Sequence, residues 1–263
     1  IAFYDLLGQS TGRSVAELLG GALVRAVPSY VALNVADPGE TAREAVEKAR
    51  QGFRRLQLKI GGRDVALDVE TARKVAEAVS DDVRLVLDGN RGLSTGDTIT
   101  LSNALRNIPV VLEQPCEGVE QHRAIRPLLH HPLYLDESAS DLAVVAKSLA
   151  EGLVDGFGMK LTRMGGLRSM AAFRDLCAAW KLPHSCDDSW GGDIITAACV
   201  HMGSTVQPRQ LEGVWSAQPY INAHYDPANG PHIRNAEFTV PAGPGLGLKI
   251  DPEQFGDPIV AFD

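Results

Sequence analysis

Residues 84–138 read RLVLDGNRGLSTGDTITLSNALRNIPVVLEQPCEGVEQHRAIRPLLHHPLYLDES, and this stretch decides the fold. Three short apolar runs, Val83–Leu87, Val110–Leu112 and Leu133–Leu135, each stop at a carboxylate: Asp88, Glu113 and Asp136. Between the runs lie stretches of helical length, Thr98–Asn107 and Val119–Leu129. Runs that are apolar almost throughout are strands buried on both faces, as in a parallel sheet covered by helices.

The same rhythm extends in both directions. Pro28–Leu33 and Arg55–Ile60 upstream, and Gly156–Lys160, Leu182–Cys186 and Leu211–Val214 downstream, bring the strand candidates to eight. Asp37 before Pro38 reads as a cap and first-turn proline for a helix to Arg50, with Gly52 as its stop. Further helices fit Val65–Val79, Leu142–Ala150, Gly166–Trp180 and Gly192–Val206. The strand ends Lys59, Asp88, Glu113, Asp136, Lys160 and Asp187 recur every 23 to 29 residues. This α/β alternation predicts a closed TIM-type (β/α)7β barrel over residues 1–225. No GxGxxG follows the first strand, which argues against a dinucleotide fold. Residues 226–263 hold six Pro and five Gly, and read as an irregular tail lying against the barrel or against a further domain. The first residues read as the end of a helix running into a loop, so a segment is expected upstream of Ile1.

Composition narrows the function classes. Of 263 residues, 44% are hydrophobic and 22% charged, which excludes a disordered, collagenous or disulfide-stapled chain. The net charge of −8 and the lack of a Lys/Arg run exclude nucleic acid and anionic membrane surfaces as partners. The longest charge-free stretch, Ile194–Pro208, is too short to span a bilayer. Four cysteines without a CxxC read as reduced, buried thiols in a cytoplasmic protein.

In a (β/α)8 barrel all strand C-termini open onto one face. Three carboxylates from consecutive strands therefore meet at one mouth, with Lys59 and Lys160 on the flanking strands. Taken singly, each is an inert loop-entry residue. Together, three crowded carboxylates call for a cation, and an all-oxygen donor set selects a hard ion such as Mg²⁺. A lysine near a metal and a second cation has a lowered pKa and acts as a base. Two such bases facing each other across one carbon are what inversion of a stereocentre requires.

These residues resemble the enolase superfamily, and within it the mandelate racemase/muconate lactonizing enzyme family. The resemblance covers essentially the whole chain. Asp88 in LVLDGN, Glu113 in LEQP and Asp136 in LDES match the family's Mg²⁺ ligands. Lys59 matches the second lysine of its KxK, and Lys160 in MKLTRMGGL matches its sixth-strand lysine. YDLLGQSTGRSVAELLGG looks like the entry into the C-terminal barrel domain, whose N-terminal capping domain is missing from this sequence. The first lysine of KxK is Gln57 here, and is expected to hydrogen-bond a substrate carboxylate instead.

The segment HSCDDSWGGDI resembles that of members acting on proline-derived substrates, hydroxyproline betaine 2-epimerase and cis-3-hydroxyproline dehydratase. Asp188 and Trp190 are the expected seat for an ammonium group, a carboxylate beside an aromatic face. Trp215 is as much a packing residue as a pocket wall. Asn90 and Gln114, next to metal ligands, are expected to support them from behind. His184 reads as a core residue, and His130 and His131 as surface residues in a turn. The resulting expectation is a Mg²⁺-dependent two-lysine racemase or epimerase acting on a small carboxylate. Dehydration of a hydroxy amino acid or acid sugar is the alternative. A homo-oligomer is expected. A metal-binding scaffold without catalysis and a Schiff-base aldolase are the rivals, and the intact set of five charged residues argues against both.

Overall fold

The computed structural model describes residues 1–257, 259 and 260. The strands are β1 (Ala26–Pro28), β2 (Val31–Leu33), β3 (Arg55–Lys59), β4 (Arg84–Asp88), β5 (Val110–Glu113), β6 (Leu133–Leu135), β7 (Gly156–Phe157), β8 (His184–Ser185), β9 (Leu211–Gly213), β10 (Ile233–Arg234) and β11 (Glu237–Thr239). Strands β2 to β9 form one parallel sheet in chain order. The sheet curls until its ends meet. Ser29 and Val214 form a parallel bridge, the Val214 N–H donates to the Pro28 carbonyl at 2.9 Å, and the Ser29 hydroxyl donates to the Val214 carbonyl at 3.0 Å.

Helices fall between the strands and take their ends from the local sequence. Asp37 caps Pro38–Arg50 by accepting from the Gly39 and Glu40 N–H groups. Ser94 caps Thr95–Ala104, three residues earlier than expected from the sequence, because its hydroxyl accepts from Asp97. Val119 starts a helix as expected, but it ends at Ile125, where Pro127 forces a 3₁₀ turn. The main hydrophobic core fills the layer between sheet and helices, with Leu56, Leu87, Leu112, Leu135 and Phe173 fully buried. A second cluster, Val86, Val111 and Tyr134, is separate from it and lies inside the barrel.

Period-two alternation then decides what else faces inward. Val86 and Val111 are register partners, as are Lys59 and Asp88, and Asp88 and Glu113. Arg55, Gln57 and Lys59 are two residues apart on β3, as are Val86 and Asp88 on β4, so all share the inner face.

Two expectations about the chain ends are corrected. The segment Pro28–Leu33 is not one strand: the chain turns at Ser29 and Tyr30, and β1 pairs antiparallel with β11. The tail is therefore not wholly irregular. β10 and β11 form a hairpin through Asn235 and Ala236, both at positive φ, and complete a three-stranded sheet with β1. Downstream, the Gly245 carbonyl accepts from Val15 and the Leu246 N–H donates to Asp5, so the tail returns to the N-terminal helix (Ala2–Thr11). Pro258 and residues 261–263 of the expected tail lie outside the described residues. His131 is buried, not exposed as expected, because Ser102 and the Leu105 carbonyl bond both its ring nitrogens. His184 is fully buried against Phe173, and all four cysteines are free and buried. Among the described residues no helix is long and apolar enough to cross a membrane.

Candidate active site

The C-terminal ends of the barrel strands surround a cavity of about 440 Å³. In a closed ring of eight, β3 and β7 are diametrically opposed, and they deliver Lys59 and Lys160 to the same cavity. The carboxylate strands β4, β5 and β6 occupy one arc between the lysines. The arc from β8 through β9 to β2 lies opposite and carries Asp187, Trp190, Trp215, Tyr220 and Tyr30.

Asp88, Glu113 and Asp136 are buried almost completely. Each is held by a cation or amide of the chain. Lys59 donates to Asp88 at 2.5 Å, Arg55 and Gln57 donate to Glu113 at 3.2 and 3.1 Å, and Lys160 donates to Asp136 at 2.7 Å. Arg163 also pairs with Asp136. Burial first, then the negative charge of Asp88, pushes the Glu113 carboxyl up to about 8, with Asp136 and Asp187 adding to it. Burial pulls the Lys160 ammonium down, but Asp136 and Asp187 outweigh it and leave its pKa raised. The lowering expected from the sequence belongs to a lysine beside a bound metal; with Asp136 and Asp187 as its neighbours, the ammonium is favoured.

The fit of this set to Mg²⁺ follows from its chemistry. The three oxygen donors end adjacent strands, and beyond the effect of burial the charges of Asp88 and Asp136 raise the Glu113 pKa against the pull of Arg55, an excess of negative charge that a hard divalent cation would offset. A Cβ at Gly158 would meet Glu113 Oε1 at 2.1 Å, so a glycine on β7's extension is what lets that carboxylate lie across the mouth. Among the described residues no group of three such side chains stands at cage distance, since each carboxylate is drawn to its own cation partner.

The remaining expected residues divide. Asn90 accepts from Lys59 at 2.8 Å and lines the cavity. Gln114 is buried behind Asp136: its Oε1 accepts from the Asp136 and Ser138 N–H groups, fixing the loop that carries the carboxylate. Both residues hold positive φ. Gln57 lines the cavity, and one of its amide N–H groups is given to Glu113. Asp188 does not reach the mouth. It is fully buried, and its oxygens accept from Gly191, Thr196 and Ala217, tying the loop to the helix that follows. Alternation sends Asp187 inward in its place, bridged to Lys160. Trp190 stands on the rim, 63% exposed, edge-on to Trp215 at 5.5 Å and tilted toward Tyr220 at 5.7 Å.

Sequence reasoning missed Tyr30, Tyr220, Glu137 and Arg55. Arg55 was findable: RLQLK alternates polar and apolar, which a strand apolar on both faces does not. Arg55 runs down the barrel axis, over the Tyr30 ring, and links Glu113 to Glu212. Glu212 then meets Arg84 and the Tyr134 hydroxyl toward the far end.

The comparisons with known proteins agree with this geometry. Cis-3-hydroxy-L-proline dehydratase of Roseibium aggregatum is 32% identical over 264 residues, covering 100% of this chain and 71% of the relative. L-Ala-D/L-Glu epimerase of Clostridium acetobutylicum is 24% identical, covering 95% of this chain and 70% of the relative. A crystal structure of an enolase superfamily member from Roseovarius nubinhibens, complexed with magnesium, superposes with a TM-score of 0.94 at 26% identity, covering 99% of this chain and 71% of that one. The family model described as enolase C-terminal domain-like matches residues 40–254, and the chain belongs to that family.

Proposed function

We propose that this chain removes the proton α to a carboxylate in a Mg²⁺-dependent reaction, with Lys59 and Lys160 as the two bases of a racemase or epimerase. The observation that carries the reading is the placement of the lysines on diametrically opposed strands, both lining one cavity. Asp88, Glu113 and Asp136 would hold the metal, which when bound supplies positive charge to face the substrate carboxylate. The rest of the substrate then extends toward the aromatic arc, which leaves its α-carbon between the two lysines. One lysine, as the free amine, takes the α-hydrogen as a proton. The opposite ammonium returns a proton to the other face, so one C–H bond breaks and one forms with no net change in atoms. The aromatic group of Trp190, Trp215 and Tyr220 suits an ammonium or a partly apolar ring, as in an amino acid or a proline betaine. Asp187, not Asp188, is the carboxylate on that side.

Dehydration is the second reading. It is favoured by the 32% identity to a hydroxyproline dehydratase over the full length of this chain. There the same base takes the α-proton, the second lysine protonates the departing β-hydroxyl, and water leaves. Incubation in D₂O with Mg²⁺, following L-proline, its betaine and cis-3-hydroxy-L-proline by NMR, separates the two. Epimerisation gives α-deuterium with an intact skeleton, whereas dehydration consumes the hydroxyproline. Lys59→Ala and Lys160→Ala should each abolish inversion, while one of them still exchanges the α-proton of a single enantiomer. Full turnover by either variant dismisses the two-base reading.

A further inference from the structure

Glu137 follows Asp136 and lines the cavity, yet neither the metal ligands nor the aromatic wall accounts for it. Its Oε1 accepts from Asn90 Nδ2 at 3.0 Å. Its Oε2 is shielded from water and has no hydrogen-bond partner. A half-buried carboxylate with one shielded, unpartnered oxygen is a poor way to stabilise a loop, and such groups concentrate at functional sites.

The other end of this contact is Lys59. A carboxylate only accepts hydrogen bonds, so Glu137 can take only the NH₂ end of the Asn90 amide. The carbonyl end is thereby turned to Lys59 Nζ, at 2.8 Å. The Asn90 backbone is fixed as well, with φ at 41° and its N–H donating to Asp88 Oδ1 at 2.9 Å. Glu137 forms no ion pair with Lys59 itself, so its influence passes through the amide. The opposite base lacks such a device: Lys160 Nζ bonds Asp136, a carboxylate it shares with Arg163.

We infer that Glu137 is a positioning residue for Lys59, acting through Asn90, and that it makes the two lysines unequal. Lys59 is held in a defined direction by an amide and a carboxylate together, whereas Lys160 is held by a carboxylate alone. The inference rests on the reading of Lys59 as a base and refines it: the proton transfer on the Lys59 face depends on Glu137, and the one on the Lys160 face does not.

Trace acetylation of the whole chain with acetic anhydride, read peptide by peptide in a mass spectrometer, tests the relay without a known substrate. Lys160 serves as the internal standard. Glu137→Ala and Asn90→Ala should each raise the Lys59-to-Lys160 labelling ratio about fivefold, the factor that one hydrogen bond of ~1 kcal/mol controls. Glu137→Gln keeps a carbonyl that accepts from Asn90, and should stay within about twofold of the parent. A general loosening of the mouth would raise both lysines together and leave the ratio unmoved. Should Glu137→Ala fail to fold by circular dichroism, Glu137→Met keeps the volume, removes both oxygens and carries the same expectation. An unchanged ratio in the folded Ala or Met variant, or a rise as large in Glu137→Gln, overturns the relay. Full turnover by Lys59→Ala with an intact relay would instead overturn the base assignment, so the two failures are distinguishable.

Discussion

Replacing Gly158 by alanine is the sharpest test of how the barrel mouth is built. The added Cβ would stand 2.1 Å from Glu113 Oε1 and 2.9 Å from its Cδ. Ordinary contact begins at 3.4 Å, so the carboxylate must retreat by roughly 1.3 Å. Glu113 is 1% exposed and its Oε2 is bonded to Arg55 and Gln57 at 3.2 and 3.1 Å, so the only space open to it is the cavity it lines, away from these partners. A shift of that size breaks at least one of these bonds to a charged group. Each contributes about 1.5–3 kcal/mol, so ~2–4 kcal/mol of stability should be lost, with backbone adjustment absorbing part. Urea unfolding at constant m-value measures it. Gly118→Ala is the control, since a Cβ there meets nothing within 4 Å. Calorimetric titration with Mg²⁺ should show a loss of affinity of roughly tenfold or more for Gly158→Ala alone, the ratio that ~1.4 kcal/mol sets. A Gly158→Ala protein as stable as Gly118→Ala would refute the packing argument. Normal stability loss with unchanged Mg²⁺ affinity would detach Glu113 from the metal.

Other outcomes follow from the same geometry. Arg55→Met leaves Glu113 and Glu212 buried without their shared cation, and should cost about 3–5 kcal/mol in urea unfolding. A loss under ~1 kcal/mol would mean that the axial ion chain is not stabilising. Trp190→Ala should weaken proline betaine binding only about 2- to 5-fold, the lower end for a cation on an exposed ring, and leave Mg²⁺ binding unchanged. An equal loss for an uncharged carboxylate removes the ammonium assignment. Burial pushes the His184 imidazole down to about 4, against about 6.5 in an unfolded chain. The unfolded state therefore binds the proton first, so the stabilising effect is complete above pH 6.5 and is lost as pH falls toward 4. About 3 kcal/mol is at stake, and His184→Phe should flatten that part of the stability–pH curve. Parallel curves for the two proteins would contradict the assignment.

The barrel was legible because its signal is repeated: apolar runs ending in charge, spaced evenly, with helices between. The gathering of Asp88, Glu113, Asp136 and the two lysines at one end of the barrel was legible for the same reason, as each ends such a run. Asp188 was misplaced because adjacent aspartates in SCDDSW cannot be told apart until the register is known. The bridge from Lys160 to Asp187 supplies that register. The strand β1 and the hairpin were lost because each is only two or three residues long, too short for any period to show. Glu137 stayed hidden because its role depends on an amide brought from β4, and no spacing in the sequence announces that meeting.

The pairing of β1 with β11 bears on the order in which the protein can be completed as it is made. Ala26 meets Thr239, so an early segment waits for a late one across 213 residues of chain. At roughly 5–20 residues per second that wait is about 10–40 s. The edge of β2 likewise has no covering strand until Val214 is made. A ribosome stalled before Val214 is made therefore carries an open, apolar parallel edge, the kind of surface that seeks another chain. Slow codons placed after residue 214 would be tolerated, whereas slow codons before it would prolong exposure. For this chain, slowing translation between residues 33 and 214 should lower the soluble yield, a dependence that the finished fold does not reveal.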